Sequence, residues 1–257
     1  MMNETRTVQH KTMSAAERQA RIDLAACYRL IALNGMDDMH ATHISARVPG
    51  EGHHFLINPY GLLFSQVTAS NLVKIDIDGR IVEDTPHRVN PAGFVIHSAV
   101  HAARDDAMCV IHTHTVAGIA IACLEEGLWP LSQKSLRFYR RIAYHDYEGK
   151  AEDLDERARL VRDLGPHQAM ILRNHGLLVC GATVGRAYKT MVNLEKSCKI
   201  QLAVMSSGGK PIRLSEAVME HAARQFDRDD APGEKRPDGW PSLLARLDGL
   251  DPGYRDL

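Results

Sequence analysis

The segment CVIHTHTVAG, residues 109–118, sets two histidines, His112 and His114, one residue apart behind a short apolar run. Side chains alternate along a strand, so these two point to the same face, as two ligands of one cation must. MCVIH (108–112) reads as a buried strand, and VAGIAIACLEEG (116–127) as a helix closed by Gly127. The spacing alone does not decide the matter. With 14 histidines in 257 residues, chance gives about 0.8 His-x-His pairs. Two ordinary core histidines are the competing reading.

A third histidine sharpens the question. His175 occupies the tight turn Asn174-His175-Gly176 between the apolar strands AMILR (169–173) and LLVC (177–180). A large ring is not needed for packing there. Three neutral imidazoles with one open position make a catalytic zinc arrangement, and imidazole also suits iron and other transition metals. His112, His114 and His175 are therefore the candidate metal ligands. Cys109 points to the opposite face of the strand and is excluded.

Around this centre the chain reads as alternating helices and strands. Ser14 and Glu17 form a capping box, Ile22, Ala26, Leu30 and Leu33 make a buried helical stripe, and Gly35 ends the helix. HHFLIN (53–58) and LVKIDI (72–77) read as strands, with Asp78-Gly79 turning into RIVE (80–83). Asn90-Pro91 opens a helix to about Arg104. QKSLRFYRRIAYHDYEG (133–149) reads as an irregular basic segment, followed by a charged helix near 152–164. A long helix begins at Thr183, with Ala187, Met191, Leu194, Cys198, Leu202 and Met205 on its apolar face. DRDDAPGEKRPDGWPS (227–242) is a polar stretch bearing Pro and Gly. The division expected is one α/β domain over residues 1–207 and a loosely packed extension over 208–257, seated on the domain or on a neighbouring subunit.

Composition narrows the function. The chain is 44% apolar and 25% charged with a net charge of −1, the balance of a soluble globular protein without a footprint for nucleic acid or an anionic membrane. No apolar run reaches the length of a membrane span, and the first residues lack the apolar core of a secretory signal. Five cysteines without a C-x-x-C point to reduced thiols in a cytoplasm, with Cys109, Cys123 and Cys180 as plain core residues.

NPAGFVIHSAVHAARDDAMCVIHTHTVAGIAIA (90–122) and MILRNHGLLVCGATVGRAYKTMVNLEKSCKIQ (170–201) resemble the class II aldolase/adducin family. The resemblance runs from about Ala15 to Met205. It implies a three-layer α/β/α fold around a largely antiparallel sheet, and a homotetramer with active sites between subunits. It also implies a divalent metal, zinc first with manganese or iron as alternatives, on the positions matching His112, His114 and His175. The departures matter as much. The family's catalytic glutamate, four residues before the histidine matching His97, is Gly93 here. The phosphate-binding serines match Pro91 and Ala92, and the asparagine of an early Gly-Asn turn matches His43. Gly61 of INPYG (57–61) is kept, and NPAGF with HSAVHAAR looks closer to adducin than to the sugar-phosphate aldolases.

A missing glutamate leaves two readings: an adducin-like binding module, or an enzyme whose reaction needs no carboxylate at that point. Retention of all three histidines favours the enzyme. A metal-bound carbonyl can form an enolate by retro-aldol cleavage or by loss of carbon dioxide, and only the first needs a base for a hydroxyl proton. The expectation is a metal-dependent lyase on a non-phosphorylated small molecule, a decarboxylase before an aldolase, with a non-haem iron oxygenase as the alternative enzyme. Tyr139, His97, His43 and Tyr60 are the candidates for proton delivery. Tyr60, Gly61, Gly93 and Arg140 are candidate substrate contacts, and Arg137, Arg140 and Arg141 could clamp a carboxylate or form a solvated basic face.

Overall fold

The computed structural model describes residues 13–50, 52–149, 154–230 and 239–257. Strand β4 (Cys109–Thr113) lies at the middle of a mixed sheet. The others are β1 (His43–Arg47), β2 (Phe55–Ile57), β3 (Val73–Ile75), β5 (Ala143–His145), β6 (Ala169–Leu172) and β7 (Gly176–Gly181). Among the described residues the order is β3-β2-β1-β4-β7-β6-β5, every pair antiparallel except β5 with β6.

Among the described residues the helices are α1 (Ala15–Leu33), α2 (Pro91–Ala103), α3 (Val116–Ala122), α4 (Gln133–Leu136), α5 (Glu156–Leu164), α6 (Val184–Ser206), α7 (Glu216–Asp229) and α8 (Trp240–Leu250). They cover both faces of the sheet. Ile44, Cys109, Ile111, Leu177 and Val179 pack with Leu24, Ile31, Ile121, Met191 and Leu194 on one side. Val110, Met170, Leu178 and Cys180 pack with Ile96, Val100, Leu160 and Leu164 on the other. A strand covered on both faces has no reason to alternate apolar with polar residues, which explains the unbroken run Cys109–Val110–Ile111. Each such side chain contributes roughly 1.5–3 kcal/mol by leaving water.

Ser14 caps α1, its Oγ accepting from the Glu17 amide at 3.1 Å. Glu17 does not complete the box. Its buried carboxylate accepts from Arg21 Nε at 3.1 Å and Lys74 Nζ at 2.9 Å, tying the helix to β3. The buried face of α1 is also wider than the expected stripe: Leu24, Cys27, Tyr28 and Ile31 fill it, whereas Leu33 is 55% exposed. Gly35, at φ +61°, closes the helix, and the Met36 amide returns to the Ile31 carbonyl at 3.1 Å.

Other differences have local causes. β1 escapes a pattern search because His43, Ser45 and Arg47 make one of its faces polar although it is buried. β5 lies inside the segment read as irregular, where arginines and tyrosines hide three residues of edge strand. α3 stops at Ala122 rather than Gly127, and Cys123 at its end is exposed. Met205 leaves the buried face of α6.

The C-terminal region is more ordered than a polar tail. α8 and the turn after it place Trp240, Leu247 and Tyr254 in the main core, and Tyr254 accepts from the Ala69 amide at 2.9 Å. Residues 231–238 of the polar stretch, and 152–153 of the charged helix, lie outside the described residues. No helix among the described residues is long and apolar enough to cross a membrane.

Gly176 shows how tightly the site end of the sheet is built. A Cβ there would stand 2.4 Å from the Thr113 carbonyl oxygen and 3.2 Å from His114 Cδ2. Gly176→Ala should therefore destabilise the fold by about 1–3 kcal/mol. A thermal melt checks this, and an unchanged midpoint would show that β4 and β7 have slack at this point.

Candidate metal centre

β4 and β7 pair with His112 opposite Leu178, so the end of β4 meets the start of β7. His114 follows directly after β4. His175 is delivered by the β6–β7 turn, in which Asn174 adopts φ +56° and the His175 amide donates to the Leu172 carbonyl at 3.1 Å. The three rings converge: their centroids lie 4.5 to 4.9 Å apart, and one ligating nitrogen from each falls within 4.8 Å of the others.

The hydrogen bonds behind the rings fix which nitrogens face inward. His112 Nδ1 lies 3.0 Å from the Leu177 carbonyl oxygen, which can only accept, so Nδ1 carries the proton. His114 Nδ1 lies 3.3 Å from Asp38 Oδ2 and donates in the same way. Both Nε2 atoms are then lone pairs, 2.8 Å apart and repelling unless a cation lies between them. Such an arrangement could hold a divalent ion, with the partner behind each ring setting its tautomer. Burial holds the rings neutral: His112 is driven well below the usual histidine range, and His175 is lowered to about 4 by burial, then by the nearby His114 and His145. Thr115 fixes the chain after His114, capping α3 through the Gly118 amide and donating to Glu195 at 2.5 Å.

A second group of histidines lies against this centre. β1 pairs with β4 so that His43 stands opposite His112, their ring centroids 5.0 Å apart. His43 Nδ1 is 2.8 Å from His97 Nε2. His97 Nδ1 meets Ser45 Oγ, which lies 2.7 Å from His101 Nε2. His97 is wholly buried with both nitrogens engaged, so within this chain it supports His43 and is not placed to touch a substrate. Gly93 faces the same ring. A Cβ at Gly93 would lie 3.0 Å from His43 Cδ2 and 3.1 Å from Cγ. The space left by the missing side chain is occupied by His43, not held open for a larger substrate.

The remaining candidates divide by position. Tyr60 and Gly61 follow β2 at the end of the sheet where β1 begins, and His40 packs edge-on against Tyr60 at 5.7 Å. They stand at the same end of the sheet as the three histidines, beyond β2 and two strands from β4. Tyr139 and Arg140 lie before the start of β5. That strand runs parallel to β6, so its far end, His145, lies at the metal end and Tyr139 at the opposite one. The structure does not bring Tyr139 or Arg140 to the histidines of its own chain. Nor does it offer the three arginines as a carboxylate clamp there. Arg137 pairs with Asp230, Arg140 with Glu216 at 3.2 Å, and Arg141 with Glu220 at 2.8 Å, docking α7.

Asp38, Ser45 and His101 were not singled out from sequence. Asp38 lies in an irregular loop and leaves no pattern. His97 and His101, however, are four residues apart on one helix, and His43 and Ser45 two apart on one strand. Those matched spacings were the available signal.

Comparison with known proteins follows the same lines. The family described as class II aldolase and adducin N-terminal domain matches residues 22–202. The crystal structure of an aldolase II superfamily protein from Pseudomonas syringae superposes with a TM-score of 0.90 at 48% identity, over 95% of this chain and 98% of that one. L-fuculose 1-phosphate aldolase from Glaciozyma antarctica superposes with a TM-score of 0.83 at 29% identity, over 95% of each chain. Alpha-adducin of Rattus norvegicus is 39% identical over 99% of this chain, which spans 36% of that longer protein. With the matching domain extending over most of its length, and the sheet and histidines as described, this chain belongs to the class II aldolase and adducin N-terminal domain family.

Proposed function

We propose that the protein is a metal-dependent carbon–carbon lyase acting on a non-phosphorylated carbonyl or carboxylate compound, with decarboxylation ahead of sugar-phosphate cleavage. His112, His114 and His175 would hold the ion, zinc first, with manganese or iron as the alternatives. A divalent cation there supplies Lewis acidity that polarises a carbonyl and favours an enolate. The observation that carries the reading is the His43 ring against Gly93. It fills the place of the glutamate that an aldol cleavage would use, while Pro91 and Ala92 offer no hydroxyl to a phosphate. Loss of carbon dioxide needs no carboxylate base. His43 is a titratable side chain beside the ligands, and Tyr60 and Gly61 are the candidate substrate contacts at that end of the sheet.

Metal analysis of the purified protein separates the readings. Zinc or manganese with carbon dioxide release from a panel of keto and aromatic carboxylates supports the lyase. Ferrous iron with oxygen uptake supports an oxygenase of the same fold. Neither metal nor turnover supports a binding module, the reading that the identity to alpha-adducin favours. His114→Ala should drop the metal content from about one ion per chain to near zero, because two imidazoles hold a divalent cation poorly. A variant that retains full metal sinks the assignment.

Gly93→Glu should not create an aldolase. The new Cβ presses on His43, so the variant should melt lower and still fail to cleave a phosphorylated ketose in a coupled assay. Cleavage of a sugar phosphate by the wild-type chain at an ordinary enzyme rate would overturn the preference for non-phosphorylated substrates.

The same reading makes the protein a cytoplasmic homotetramer acting on a small molecule, without nucleic-acid or membrane partners, its sites completed between subunits. Its support is the family resemblance; Tyr139 and Arg140 are remote from their own metal centre, so any part they take in a site would be at a neighbour's. If Tyr139→Phe is inactive, mixing it with His114→Ala subunits should restore part of the activity. A monomeric mass by light scattering at micromolar concentration removes the idea.

A further inference from the structure

Beyond the metal ligands, a continuous line of buried polar groups runs through the sheet and α2: His43, His97, Ser45, His101 and the Ala107 carbonyl. All four side chains are at most 2% exposed. Burial away from water favours the neutral form of each ring. A neutral imidazole has one donor and one acceptor nitrogen, and a serine hydroxyl has a single proton to give. In such a line, fixing one end fixes every proton.

The fixed end is a backbone carbonyl. His101 Nδ1 lies 3.1 Å from the Ala107 oxygen, which has no proton, so Nδ1 must carry one. His101 Nε2 is then an acceptor and takes the Ser45 hydroxyl proton across 2.7 Å. Having given its proton away, Ser45 Oγ can only accept from His97 Nδ1. His97 Nε2 is thereby bare and accepts from His43 Nδ1 at 2.8 Å. The reverse polarity would set two lone pairs against each other at Ala107. One orientation survives.

We propose that Ser45 and His101 are positioning residues that transmit this polarity to His43, holding its proton on Nδ1 and leaving Nε2 as a bare acceptor beside the metal centre. Among the described residues His43 Nε2 makes no hydrogen bond. The ring is pinned on its other side by the Gly93 backbone, whose missing Cβ lets it approach. A substrate O–H can then donate a hydrogen bond to Nε2. The substrate class implied is therefore one with a hydroxyl, enol or phenol next to the group that is cleaved. That last step rests on the lyase reading; the proton arrangement does not.

The test reads tautomers directly. The full chain, labelled with nitrogen-15 at histidine and loaded with zinc, is examined by long-range proton–nitrogen correlation. His43, His97 and His101 should each show a protonated Nδ1 and a bare Nε2. Ser45→Ala removes the link, so His97 and His43 should lose their single form and populate Nε2–H, while His101 keeps Nδ1–H. His101→Leu should have the same effect on His43, and His101→Gln, whose amide both donates and accepts, should preserve the wild-type pattern. A merely structural role for Ser45 would lower stability without moving the His43 tautomer. Nε2–H on His43 in the wild type overturns the proposal, as does an unchanged His43 in folded Ser45→Ala. If that variant does not fold, the wild-type spectrum alone decides. A chain with the expected tautomers and no turnover of any carboxylate would discard the lyase reading and leave the relay standing.

Discussion

The antiparallel pairing of β1 with β4, which sets His43 opposite His112, is the constraint on which the rest of the site depends. It places two imidazoles on one face of the sheet. One belongs to the metal centre and the other begins the line through His97, Ser45 and His101. A slip of one residue would turn His43 into the main core and Ile44 toward the ligands. Register is held by Ile44 and Ala46, which pack with the helices of the opposite face, and by Tyr28, whose hydroxyl accepts from the Ile44 amide at 2.8 Å.

Buried histidines are costly unless each nitrogen has a partner, because the polar groups leave water without compensation. Both clusters meet part of that requirement by ending on backbone oxygens, Leu177 for His112 and Ala107 for His101. A carbonyl cannot change its role as a side chain can. It therefore sets a permanent direction on whatever chain of hydrogen bonds it terminates. The metal site and the His43 line share this device, and both leave a bare Nε2 at the same end of the sheet.

Legibility from sequence followed burial and periodicity. β4, β7, α2 and α6 were readable because apolar runs, Pro91 and the Thr183 cap mark them, and the spacing of His112 and His114 at the end of one strand, with His175 in a turn, pointed to the cluster of three histidines that the structure brings together. β1 was not readable, because a strand that buries polar side chains carries no apolar signal. α7 hid in charged sequence: Arg137, Arg140 and Arg141 hold it through Asp230, Glu216 and Glu220, contacts that no local pattern encodes. The Gly93 departure was visible as a loss. That His43 fills the space could be known only once β1 and α2 were in contact, since the two residues are fifty positions apart.

The exchange of a carboxylate for an imidazole has an electrostatic consequence on the proposed reading. A divalent cation on three neutral imidazoles keeps its full charge, and the nearest compensation is Asp38, behind His114 and 42% exposed. Where a glutamate would stand, His43 is neutral, and burial makes a positive ring there unfavourable. The charge must then be met by the ligand. A carboxylate or ionised enol brings that negative charge in the ground state, whereas a neutral ketose does not, and a phosphate held away from the metal would need the hydroxyls that Pro91 and Ala92 lack. On the proposed reading, charge balance therefore favours compounds that are anionic at the reacting end and carry no phosphate.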